Sequence, residues 1–168
     1  DRVRPIVSAF RSSDAYCVEG YRVWEFRSEQ GRKQALVFRT GAVEFLDQWL
    51  FALRASEKTF PCKTFHEFLA KLVDEVLALY REGWLTPPVA VAVTLGNVEE
   101  YALPDAWVHS STGKPPPGTI SLDPVVVSDV QQDANQVLRP VLDMVWNAFG
   151  QRRCPAYDEA GEYCGYGM

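Results

Sequence analysis

The chain has 168 residues, 47% of them hydrophobic, 12% aromatic and 23% charged. That length suits one domain with a sizeable core, and the composition excludes wholesale disorder, collagen and coiled-coil rods. A formal charge of −5, from 17 basic and 22 acidic residues, argues against a dedicated nucleic-acid binder.

Charge is unevenly spread. Residues 1–40 hold eight basic groups (Arg2, Arg4, Arg11, Arg22, Arg27, Arg32, Lys33, Arg39) against five acidic ones; the remainder holds nine against 17. A phosphate-facing surface would therefore lie near the N-terminal strands, although arginines scattered over a solvated face are the plainer reading. No apolar run approaches the roughly 18 residues of a membrane helix, so no membrane association is expected. The four cysteines (Cys17, Cys62, Cys154, Cys164) contain no Cys-x-x-Cys pair, which points to reduced thiols in a cytoplasmic protein. The start, Asp1-Arg2-Val3-Arg4-Pro5, lacks an initiator Met and a signal-peptide pattern, and reads as the cut edge of a longer chain.

Residues 19–27 alternate with period two and are rich in β-branched and aromatic types, which predicts a strand. A polar turn at 28–33 leads to a second strand at 34–40. Gly41, where positive φ is cheap, turns the chain into a third at 42–47. Thr64-Phe65-His66-Glu67 has the spacing of a capping box. The stripe Phe65, Phe68, Leu69, Leu72, Val73, Val76, Leu77 and Tyr80 then predicts a core-packing helix that ends at Gly83, before Pro87-Pro88.

Residues 89–95, apolar on both faces, predict a central strand, with 98–103 pairing back after a Gly96-Asn97 turn. Residues 104–119 form a long Pro- and Gly-rich loop, of a kind that usually carries function. A last strand at 120–127 is interrupted at Asp123-Pro124. A second amphipathic helix runs from about Ser128 to Gly150 and either kinks or restarts at Pro140. The expected architecture is α+β: a mostly antiparallel sheet of five or six strands packed against two amphipathic helices. Residues 1–150 would form a single domain and 151–168 a Gly/Tyr-rich tail.

Chemistry-bearing motifs are sparse. Ser110-Ser111-Thr112-Gly113-Lys114 fails as a phosphate loop, because Pro115 stands where Ser or Thr should follow the lysine and no helix can open there. Cys62 lies just upstream of His66 at a predicted helix N-terminus, which would lower a thiol pKa and permit a nucleophile pair; a packing cysteine and a surface histidine are the plainer reading. His109 sits in the loop beside Ser110 and Ser111. Trp107, an apolar ring in the same loop, needs a pocket or a partner. Trp84 and Trp146 extend helix stripes. Asn147 either caps a neighbouring backbone or faces water.

Several local patterns occur together: Phe38-Arg39-Thr40-Gly41-x-x-Glu44, Pro87-Pro88, Asp123-Pro124-Val125-Val126-Val127, Leu138-Arg139-Pro140-x-x-Asp143-x-x-Trp146-Asn147-Ala148-x-Gly150, and Pro155-x-Tyr157-Asp158-Glu159-x-Gly161. Across most of the chain they resemble the C-terminal region that follows a Schlafen-like AlbA-type domain in bacterial proteins described as DNA- or ATP-binding. The resemblance implies an accessory module of a nucleic-acid-handling protein in regulation or defence. It carries over no catalytic residue, and no cofactor is expected.

The expected function is a non-enzymatic binding or interaction domain that holds a neighbouring domain, a protein partner, a nucleic acid or its own copy. Candidate binding residues are Arg22, Arg27, Arg39, Trp107 and His109. The alternative is a small hydrolase using Cys62 and His66, or His109 with the loop hydroxyls.

Overall fold

The computed structural model describes residues 13–27, 31–52, 58–83, 86–104 and 113–167. Four antiparallel strands follow in sequential order: β1 (Ser13–Tyr16), β2 (Gly20–Arg27), β3 (Gly31–Phe38) and β4 (Val43–Asp47). Val23, Ala35 and Phe45 stand opposite one another across β2, β3 and β4, and with Tyr21 they make a small apolar cluster. Gly41, at φ 90°, donates its N–H to the Phe38 carbonyl at 3.0 Å, so the third strand turn forms where glycine makes positive φ cheap. Gly20 is required for a different reason. A Cβ there would stand 1.9 Å from the Val37 carbonyl oxygen of the paired strand. Asp47 then accepts from the amides of Trp49 and Leu50 at 2.8 and 3.0 Å and starts a single helical turn, α1 (Trp49–Ala52). Neither β1 nor α1 is predicted by the periodicity, since four-residue elements give it too little to register.

The helices belong to the second half. Helix α2 (Cys62–Arg81) begins two residues before the expected cap, on Pro61, with no side-chain cap. Thr64 and Glu67 are therefore inside the helix and exposed, and the capping box is not formed. The C-terminus follows expectation: Gly83 at φ 77° donates to the Tyr80 carbonyl. Arg81, in the last turn, ties this helix to the chain ahead of the next one. Its Nε donates to the Val130 carbonyl at 2.8 Å and Nη2 to the Gln132 carbonyl at 3.3 Å, fixing the approach to the next helix.

Helix α3 (Ala134–Ala148) is capped by Asp133, whose carboxylate accepts from the Asn135 amide at 2.8 Å. It runs through Pro140 without a break. An internal proline costs about 3 kcal/mol. Burial of Val137, Leu138, Val141, Leu142, Val145 and Trp146 on the opposite side, at about 1.5–3 kcal/mol per large side chain, outweighs it.

The apolar run at 89–95 divides into two short strands. β5 (Val89–Val91) pairs with β8 (Val125–Val127), and β6 (Thr94–Gly96) with β7 (Thr119–Ser121), both antiparallel. Three residues, Leu122–Pro124, face two, Ala92 and Val93, between the paired stretches, so the ladder breaks at the predicted Asp123-Pro124 interruption. Residues 98–103 do not pair back. Tyr101 closes a turn on Val98, and Ala102 bridges in parallel to Thr59.

The chain is α+β. It groups into two compact units, Asp1–Ala55 and Ser56–Met168, where the sequence suggested one domain through residue 150. The strands are correspondingly distributed over one four-stranded and two two-stranded sheets rather than one sheet of five or six. Residues 151–167 are not a tail either: Cys154, Ala156 and Tyr157 are buried, and Cys154 and Tyr157 are hydrogen-bonded to Asp143 and Asn135 of α3. Periodicity could not reveal this, because the segment packs as irregular backbone. Among the described residues, no helix is long and apolar enough to cross a membrane.

Candidate functional site

Arg22 and Arg27 lie on β2, and Arg39 follows β3 in the turn to β4. Arg22 sits mid-strand, opposite Ala15 and Leu36, and its Nε is buried without a hydrogen-bond partner. Arg27 ends β2, opposite Gly31 and at the other strand parity. Five residues of extended strand separate the two by about 17 Å. Arg39, exposed at the other end of the sheet, donates through Nε to the Val18 carbonyl at 3.1 Å, and its amide donates to the Glu19 carbonyl. Part of that guanidinium is thus committed to holding the β1–β2 turn. Trp107 and His109 lie outside the described residues.

That turn also carries what the sequence did not single out. Tyr16 is 81% exposed and Val18 88%, and the Tyr16 ring packs 5.0 Å from that of Tyr21, whose hydroxyl donates to Asp14. Aromatic and apolar surface this open, beside an arginine, marks a contact surface more than a core. Charge divides along the same boundary: residues 1–55 hold nine basic against seven acidic groups, and residues 56–168 hold eight against 15.

In the second unit the proposed nucleophile pair is not assembled. The helix N-terminus was expected to lower the Cys62 thiol pKa. Burial instead pushes it well up, the nearby Cys154 thiol adds to this, and Sγ donates to the Phe60 carbonyl at 3.4 Å. His66 is not a surface residue. It is 1% exposed, directs Nε2 to Asn135 Oδ1 at 3.1 Å, and has no partner at Nδ1. Burial holds its pKa below the ordinary value. A general base needs access to its proton donor, and this imidazole has none. Among the described residues, no three His, Cys, Asp or Glu side chains converge to hold a metal ion.

The segment after α3 is organised by side chains that are polar but not catalytic. Asn147 Nδ2 donates to the carbonyls of Gln151 and Arg152 at 2.8 and 2.9 Å, which settles its role as a backbone cap. Asp143 accepts from the Cys154 amide at 2.8 Å. Tyr157 donates its hydroxyl to the Asn135 carbonyl at 2.6 Å. The tyrosines at 157, 163 and 166 were the available signal. Their spacing fits neither helix nor strand, so it gave no indication that they meet on one histidine.

No protein-family model, curated protein or solved structure matches this chain.

Proposed function

We propose that this chain is a non-enzymatic accessory binding domain of a larger bacterial nucleic-acid-handling protein, regulatory or defensive, and that its N-terminal unit makes the contact. The observation that carries this reading is the division of charge between the two compact units, with the basic surplus confined to residues 1–55. Phosphate contacts need accessible cationic side chains, and exposed Arg39, bonded to the carbonyl of open Val18, is the best placed of the candidates. The resemblance of the motifs at 38–44, 123–127, 138–150 and 155–161 supports the same assignment. The buried, high-pKa Cys62 and the enclosed His66 speak against the hydrolase alternative.

The test is a fluorescence-anisotropy titration of the whole chain with labelled single- and double-stranded DNA and RNA, at low and physiological salt. The expected result is binding that weakens steeply with salt. Arg39→Ala should reduce the slope of log K against log salt by about 1, whereas Arg152→Ala in the acidic unit leaves it unchanged. Absence of binding at low salt overturns the nucleic-acid contact.

A further inference from the structure

Among the described residues, the buried polar side chains are Gln34, His66 and Gln151, and of these only His66 takes up a proton near neutral pH. Its imidazole is the shared contact of three rings, all from the segment after α3. Tyr157 stacks on it at 5.9 Å between centroids, and Tyr163 and Tyr166 meet it edge-on at 5.0 and 5.6 Å. One side chain on α2 thus touches all three tyrosines of the C-terminal segment.

The hydrogen bonds determine which nitrogen is protonated. Asn135 Nδ2 donates to Asp133 Oδ1 at 3.0 Å, so the amide oxygen is the atom facing His66, and Nε2 carries the imidazole proton. A second proton must then go to Nδ1, which is buried and has no acceptor. Placing an N–H and a positive charge there is costly unless the cluster opens.

We propose that His66 is an acid-sensitive latch, whose protonation at Nδ1 releases residues 154–167 from α2 and α3 while the two helices stay together. The ionisable groups around the cluster come from every packed element: Cys62 and Glu67 on α2, Asp133 at the cap of α3 and Asp143 within it, and Cys154, Tyr157, Tyr163 and Tyr166 on the segment itself. Glu67 favours the imidazolium; burial opposes it and is the larger effect. A released imidazole protonates near its ordinary value of about 6.5, and the docked one only below that. Docking is therefore at full strength above pH 6.5 and weakens as pH falls from there toward the docked pKa, by up to about tenfold per pH unit.

The test is amide hydrogen exchange on the whole chain between pH 7.5 and 5.5, expressed as protection factors. The reporters are the Gly161 and Glu162 amides, bonded to Asp158, and the Cys164 amide, bonded to the Ala156 carbonyl. Their protection should fall below pH 6.5 while that of the Val137 amide in α3 holds. His66→Gln should remove the pH dependence, and His109→Gln, at the chain's other histidine, should leave it intact. Flat protection in the wild type, an equal loss in His66→Gln, or joint loss of segment and α3 overturns the latch. Should His66→Gln not fold, a wild-type NMR titration decides: a His66 pKa at or above 6.5 overturns it.

Discussion

The backbone of Gly161 lies directly on the guanidinium of Arg139. A Cβ at position 161 would stand 1.7 Å from Arg139 Nη1, and the residue is held at φ 89°, a conformation costly for any side chain. Two independent reasons thus require glycine in the turn that closes the C-terminal segment, where the Gly161 amide donates to the Asp158 carbonyl. Gly161→Ala should destabilise the second unit by about 1–3 kcal/mol, since backbone strain remains even if the flexible arginine moves aside. Arg139→Ala in the same background should recover only the steric part. Urea denaturation of the single and double variants separates the two contributions, and a Gly161→Ala protein of wild-type stability would contradict the geometry.

Asn147 caps the chain as it leaves α3, through two donated hydrogen bonds. Asn147→Ala should cost about 1–2 kcal/mol by the usual worth of such bonds, and Asn147→Asp no less, because a carboxylate cannot donate to those carbonyls. Chemical denaturation monitored by tryptophan fluorescence reads this directly.

Helix starts give a paired contrast. Asp133→Ala removes a formed cap and should cost about 1 kcal/mol. Thr64→Ala removes a residue that caps nothing and is exposed, so the change should stay within about 0.5 kcal/mol. Equal losses at both positions would mean that α2 starts at Thr64 after all.

Thiol labelling at neutral pH should sort the cysteines by burial. Cys164 is exposed and should react first, whereas Cys62 and Cys154, buried and raised in pKa, should label far more slowly than a model thiol. Mass-spectrometric mapping of an alkylation time course shows the order. Rapid modification of Cys62 would restore the nucleophile reading.

Residues 19–47 and the two long helices were legible because each repeats a period often enough to be counted. The strands alternate with period two, and α2 and α3 run for 20 and 15 residues. Short elements such as β1 and α1 offer no such count. Local signals also misled where burial competed with them. Cys62 has the position of an activated thiol, but desolvation opposes the helix terminus and wins. His66 looked like a first-turn surface residue because nothing near it in sequence covers it. Its cover comes from tyrosines more than 90 residues away.

The amino-acid order alone therefore determined the α+β class, the core faces of both helices and the interruption at Pro124, all of which depend on local periodicity and backbone chemistry. Only the tertiary structure decided the division into two units and the enclosure of His66. Each of these depends on which distant surfaces exclude water from one another, and no local pattern records that.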